Sequence, residues 1–245
     1  MTDINEMKPA VRRTMTLFYI IDCSGSMSGQ RIGQVNDAIR STLPELQGIS
    51  DGNADAQIKV AALTFSNGAS WVTSEPKECK DFQWTDINAG GQTALGEACK
   101  ELESKLSRES FLKSDTGNYA PTFILISDGE PTDDFEAGLE KLKKNNWFAK
   151  GIKFAIAVVD ANKDTLAKFT GSGETVIEVK DVDQLKFVLR SVSVSVSRKA
   201  SQSSHSGKTD SDKQADAAAS VQQDLQGLSG VEFAENVKCN DADFD

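Results

Sequence analysis

Two hydrophobic patterns alternate along this chain. Continuous apolar runs occupy residues 16–21, 58–65, 121–127 and 152–159, and polar or turn residues close each of them. Runs of that kind suit strands buried on both faces, as in the parallel sheet of an α/β protein. The stretches between them carry helical spacing instead. Ile32, Val35, Ile39 and Leu43 predict a helix from Ser28 or Gly29 to about Leu46, with Pro44 as a kink or an end. Ala94, Leu95, Ala98, Leu102 and Leu106 give one apolar side to a helix over 94–111. Further helices are expected over 133–144 and 165–169. Leu185, Val188, Leu189, Val192 and Val196 mark a closing helix, onto whose face Val194 fits poorly. Asn67-Gly68 is a hairpin signal that returns 69–73 as an antiparallel edge strand. A short extended piece is expected at 81–84, and 175–179 is the last strand. Strand and helix in alternation predict a doubly wound, Rossmann-like α/β fold: a mostly parallel central sheet with one antiparallel edge strand and helices on both faces.

The pattern stops at about Ser197. From there to Gln222, Ser, Asp, Gln and Lys dominate, a composition that reads as disordered. Residues 215–228 read as a transient helix, and Val231-Glu232-Phe233 as a small apolar island. The expected organisation is a flexible lead-in over 1–13, one α/β domain over 14–196, and an acidic, Ser-rich, disordered tail over 197–245. A chain of 245 residues accommodates one such domain. Its apolar content of 38% lies below the globular average, as expected if part of the chain stays outside the core.

Charge and cysteine usage narrow the partners. A net charge of −10 argues against binding a phosphate backbone. No apolar run approaches the length of a bilayer span, and the polar first residues lack the apolar middle of a secretory signal. Neither nucleic acid nor membrane is therefore an expected partner, and the cytoplasm is the expected compartment. Cys23, Cys79, Cys99 and Cys239 make no C-x-x-C pair, and the only histidine is His205, so reduced thiols are expected rather than disulfides or zinc. Trp71, Trp84 and Trp147 read as peripheral core.

Candidate chemistry gathers where strands end. The first run leads into Asp22-Cys23-Ser24-Gly25-Ser26, the run 121–127 leads into Asp128-Gly129, and Gly90-Gly91-Gln92-Thr93 precedes a helix. Open α/β sheets bind ligands beyond the carboxyl ends of their strands. Residues two apart in an extended turn point the same way. Asp22, Ser24, Ser26, Thr93 and Asp128 are thus expected to meet at one edge of the sheet. Two carboxylates with three hydroxyls form an oxygen-only set suited to Mg²⁺ rather than to a soft metal. Taken singly, the pieces have plainer readings: helix caps at Ser24 and Thr93, and a turn at Asp128-Gly129. Asp133 and Asp134 are expected to complement a helix dipole. Cys23 fills the variable slot of its motif, where a neighbouring helix N-terminus would favour the thiolate.

Asp22-Cys23-Ser24-Gly25-Ser26, Thr93 and Asp128 resemble, position for position, the metal-ion-dependent adhesion site of von Willebrand factor A domains: D-x-S-x-S, then a distant Thr, then a distant Asp. The stretches Gly91-Gln92-Thr93-Ala94-Leu95-Gly96-Glu97-Ala98 and Ser127-Asp128-Gly129-Glu130-Pro131-Thr132-Asp133-Asp134 look like the bacterial tellurite-resistance TerY-type branch. The resemblance covers about residues 14–196. It implies the family fold, and binding rather than catalysis. It also implies Ser24, Ser26 and Thr93 close to the metal, with Asp22 and Asp128 acting directly or through water. The implied ion is Mg²⁺, with Mn²⁺ or Ca²⁺ as alternatives, and a partner protein's Asp or Glu is its last ligand. The branch implies a stress-response system that includes a protein kinase and a metal-dependent phosphatase. Two other readings remain beside this one. One is an aspartate-based phosphatase with Asp22 as nucleophile, although Ser24 stands where a second acid is needed. The other is a purely structural ion. Serine-nucleophile hydrolysis has no histidine within the domain, and no G-x-x-x-x-G-K-[ST] loop supports nucleotide hydrolysis.

Overall fold

The computed structural model describes residues 12–128, 130–159, 161–202 and 209–234. Residues 1–11 of the expected lead-in and residues 203–208 and 235–245 of the expected tail, His205 and Cys239 among them, lie outside the described residues. The chain opens with strand β1 (Arg13–Asp22), buried at every position after its first. Helix α1 (Gln30–Asp51), strand β2 (Ala56–Phe65) and two short strands, β3 (Ala69–Trp71) and β4 (Lys77–Glu78), follow. Next come α2 (Leu95–Lys105), β5 (Thr122–Ser127), α3 (Phe135–Lys143), α4 (Asn146–Lys150), β6 (Ile152–Val158), α5 (Lys163–Thr170) and β7 (Val176–Val179). The last described elements are α6 (Val182–Gln202), α7 (Asp210–Leu225) and β8 (Val231–Phe233).

All eight strands form one sheet in the order β3-β2-β1-β5-β6-β7-β8, with β4 also paired to β2. β2, β1, β5, β6 and β7 run parallel. Alternation along β1 feeds two apolar layers. Leu17, Tyr19 and Ile21 pack in the layer that includes α1 and α6, while Phe18 and Ile20 pack in the one that includes α2, α3 and α5. The stacked rings of Phe18 and Phe123 join β1 to β5 in the second layer. Trp71, Trp84 and Trp147 are half-buried and pack against these layers.

The doubly wound architecture is the expected one, with corrections at its margins. Antiparallel pairing is not confined to one strand: β3 and β4 both pair antiparallel with β2, and β8 does so with β7. The extended piece expected at 81–84 is absent, and β4 forms just before it. Helix α1 passes through Pro44 to Asp51, because Leu43 and Leu46 are buried on either side and outweigh the one hydrogen bond that proline forfeits. Helix α2 stops at Lys105 instead of reaching 111, and Phe111 and Leu112 are buried from the turn that follows.

The described part of the expected disordered tail is folded. Helix α6 carries the domain to Gln202. Helix α7 starts with a reciprocal capping box, in which the Thr209 hydroxyl accepts from the Asp212 amide at 3.2 Å and the Asp212 carboxylate accepts from the Thr209 amide at 2.9 Å. Its Ala217, Ala218, Val221 and Leu225 are buried in the same layer as α6. Gln214 docks it to the sheet by taking the Lys153 amide at 2.9 Å and donating to the Lys153 carbonyl at 2.6 Å. That side of β6 has no strand partner before β7 begins to pair at Ala155, so the Gln214 amide substitutes for a strand. Val194, which fits the closing helix poorly, is only half-buried.

Candidate metal centre

The sheet order reverses between β1 and β5, which makes the crevice beyond their carboxyl ends the switch point of the fold. Asp22 is the last residue of β1, and its side chain is fully buried. One oxygen accepts from the Ser24 amide at 2.8 Å; the other accepts at 2.6 Å from the hydroxyl of Ser127, the last residue of β5. The carboxylate therefore ties the two strand ends together. Burial pushes its pKa above the usual carboxylate range, the Ser127 and Ser24 hydrogen bonds oppose that, and the charge of Asp128 adds to the rise.

From Ser24 a chain of oxygens leads outward. The buried Ser24 hydroxyl shares a 2.9 Å hydrogen bond with that of the exposed Ser26, which donates to one oxygen of Asp128 at 2.6 Å. The other Asp128 oxygen accepts from the guanidinium of Arg31, which also donates to the Ser26 carbonyl at 3.2 Å. The loop that carries Thr93 joins through the backbone of Gly90 and Gly91. The Gly25 amide donates to the Gly91 carbonyl at 3.1 Å, and the Gly90 amide donates to the Cys23 carbonyl at 2.8 Å. Gly91 sits at φ 86°, and a Cβ there would lie 2.7 Å from the Asn67 amide oxygen that accepts from the Gln92 amide. Glycine alone fits this crossing.

A second clamp couples the Thr93 loop to the Asp128 loop. The Thr93 amide donates to the Thr132 hydroxyl at 3.1 Å, and the Thr132 amide donates to the Thr93 carbonyl at 2.9 Å. Thr93 is not the cap of α2. That position falls to Ala94, which supplies no side-chain bond. Asp133 caps α2 from the other loop instead, accepting from the Gly96 and Glu97 amides at 2.9 and 2.8 Å. Asp134 caps α3. Both act on helix dipoles as expected, but Asp133 serves a helix remote in sequence. The helix starts touch backbone to backbone: a Cβ on Gly96 would come within 2.4 Å of the Asp134 carbonyl oxygen.

Four of the five expected site residues thus form one hydrogen-bonded chain, and the fifth lies on the loop stapled to it. Among the described residues, no group of three or more His, Cys, Asp and Glu side chains is placed to hold a metal. Two carboxylates with neutral hydroxyls fit only a hard cation that keeps part of its water shell. Arg31 escaped the sequence reading. Its one signal is position, a cation in the first turn of a helix where the dipole disfavours it. Cys23, Cys79 and Cys99 are free and buried, and burial pushes Cys23 and Cys79 up to about 12. Burial and the neighbouring Asp22 charge thus oppose the thiolate that a helix N-terminus would favour at Cys23. At the same edge Val159 takes φ 35°, a strained conformation for a β-branched residue. Among the described residues, no helix is long and apolar enough to cross a membrane.

A doubly wound mixed sheet with an oxygen-lined switch point defines the class. Residues 17–191 match the von Willebrand factor type A domain family, and the chain belongs to it. Among solved structures, the chain is similar to a von Willebrand factor type A protein from Catenulispora acidiphila, at 16% identity and TM-score 0.56 over 76% of this chain and 43% of that one. It is also similar to the pilus adhesin SpaC from Lactobacillus rhamnosus GG, at 13% identity and TM-score 0.55 over 72% of this chain and 30% of that one. Proximal thread matrix protein 1 from the mussel byssus, with a zinc-occupied MIDAS motif, aligns at 18% identity and TM-score 0.52, covering 79% of this chain and 47% of that one. The alignment spans less than half of each of these proteins, and the likeness is one of fold. No curated protein matches the chain.

Proposed function

We propose that this chain is a metal-dependent protein-binding module. Asp22, Ser24, Ser26, Thr93 and Asp128 would hold Mg²⁺, or Mn²⁺ in its place. The ion, when bound, supplies an electrophilic position that an Asp or Glu of a partner protein fills. The observation that carries this reading is the hydrogen-bonded run at the switch point from Asp22, through the Ser24 amide and the Ser24 and Ser26 hydroxyls, to Asp128. Ca²⁺ fits less well, since it takes six to eight oxygens at longer distances. The zinc-occupied MIDAS motif of the mussel-byssus protein supports a metal in a relative of the same fold.

Binding rather than catalysis is supported by Asp22. Both of its oxygens are engaged and its side chain is fully buried, which suits charge balance and not attack on a phosphoryl group. The TerY-like stretches around Thr93 and Asp128 suggest the setting: a cytoplasmic stress response of the tellurite-resistance type, with a protein kinase and a metal-dependent phosphatase as partners. The test compares partner pull-down and melting temperature for wild type and Ser24→Ala/Ser26→Ala, in Mg²⁺ and in chelator. At Mg²⁺ one hundred times its Kd, wild type gains about 2.7 kcal/mol of stability and the double variant does not. Chelator releases the partner while the sheet stays folded. A partner retained in chelator rejects the bridging ion.

A further inference from the structure

The site contains a cation of its own. Asp128 has a fully buried side chain, and its charge is met by the Arg31 guanidinium, whose side chain is 27% exposed. A buried carboxylate demands such a counter-charge. The helix dipole does not favour a cation at the position of Arg31. It is the second residue of α1, a helix with no acidic residue in its first turn and no side-chain cap at Gly29. A cation there opposes the positive end of the helix dipole. Its contacts run back to Asp128 and to the carbonyl of Ser26, that is, to two of the residues proposed to hold the metal.

Resting on the metal-binding reading, we propose that Arg31 is a tethered competitor for the metal. Without metal, the guanidinium neutralises Asp128 and keeps the Ser26 and Asp128 loops in register. Asp128 would give up the guanidinium in favour of a divalent cation held by the site, because the two positive groups compete for the same carboxylate. Arg31 then turns outward along its exposed side, staying near through its place on α1. A monovalent cation offers Asp128 no more charge than Arg31 already does, so the latch opens only to divalent ions. Metal occupancy consequently sets where the guanidinium points. With metal bound, a positive side chain stands at the rim where the partner's carboxylate arrives.

The experiment measures Mn²⁺ affinity of the full chain from the free-Mn²⁺ electron paramagnetic resonance signal, without partner. Arg31→Gln should bind Mn²⁺ about tenfold tighter than wild type, the equilibrium equivalent of one charge-assisted hydrogen bond that wild type must give up. Arg40→Gln removes the same charge from α1, where it makes exposed ion pairs with Asp37 of that helix and with Asp86 of a loop, and should leave the affinity unchanged. Arg31→Lys keeps the charge without the planar fork and should tighten binding a few-fold; it carries the test if Arg31→Gln misfolds. Equal affinities for wild type, Arg31→Gln and Arg31→Lys overturn the latch and leave the metal site standing. An equal rise in Arg31→Gln and Arg40→Gln also overturns it, because net charge then explains the effect. If none of these proteins binds Mn²⁺ better than Ser24→Ala/Ser26→Ala does, the metal-binding reading fails and the latch with it.

Discussion

Leu225→Ala tests whether the chain beyond the family match is part of the cooperative fold. Leu225 is buried near the end of α7 and belongs to the same apolar layer as α6. Truncating a buried leucine removes its transfer free energy and leaves a cavity, at a cost of 2–5 kcal/mol, about 3 in the middle of that range. For a chain of this length each kcal/mol moves the midpoint by about 2–4 °C, so Tm should fall by about 6–12 °C. In urea the midpoint should drop with the slope preserved, because a docked α7 unfolds with the sheet. Gln214→Ala should lower stability by about 1–2 kcal/mol, since it removes two partly buried hydrogen bonds to the Lys153 backbone. Ala219→Ser, on the exposed side of the same helix, should stay within about 0.5 kcal/mol of wild type. Circular dichroism melts and urea titrations read all three. If Leu225→Ala behaves like Ala219→Ser, α7 is not docked and the correction to the expected disordered tail is wrong.

Other substitutions probe the loops and the thiols. Asp133→Ala should cost about 1–2 kcal/mol by uncapping α2, a loss visible in a urea titration, and Asp133→Asn should recover part of it. Gly96→Ala should destabilise more than a helix glycine-to-alanine change ordinarily stabilises, because its Cβ would meet the Asp134 backbone; a raised Tm would refute the close contact. The thiols set an alkaline limit. Burial pushes Cys23 and Cys79 up to about 12 against 9.0 for an ordinary thiol, so the unfolded chain releases their protons first as pH rises. Stability should therefore hold below about pH 9 and fall above it, by about 1.4 kcal/mol for each thiol at pH 10. In a Cys239→Ser background at pH 8, a disulfide reagent should label the native protein only as fast as it opens.

The strands that build the site were legible because burial on both faces leaves unbroken apolar runs, and Asp22 and Asp128 announce themselves by ending two of them. Thr93 was legible as a hydroxyl at a helix start, though its true hold is a backbone staple that no side chain advertises. Arg31 was not legible, since an arginine on a helix ordinarily reads as solvated. Asp133 looked local and acts at a distance. The largest miss was the docking of α7, since only a transient helix over 215–228 was expected. The buried face of α7 is made mostly of small residues, Ala217, Ala218 and Val221, in the same layer as α6, and composition, which weighs apolar volume, reports disorder. Thr209-Asp210-Ser211-Asp212 was the available clue, a capping-box spacing at the head of the helix. Strand β8 has three residues, too few for alternation to register.

The placement of β8 also has a consequence for the order of synthesis. β7 leaves the ribosome before all of α6 and α7, and its outer edge is covered only when Val231–Phe233 arrives. Until then a nascent or prematurely terminated chain displays an open row of amides and carbonyls beside an apolar strand, an arrangement that recruits other chains. Reading frames cut short before Val231 should thus yield aggregates rather than a smaller working domain.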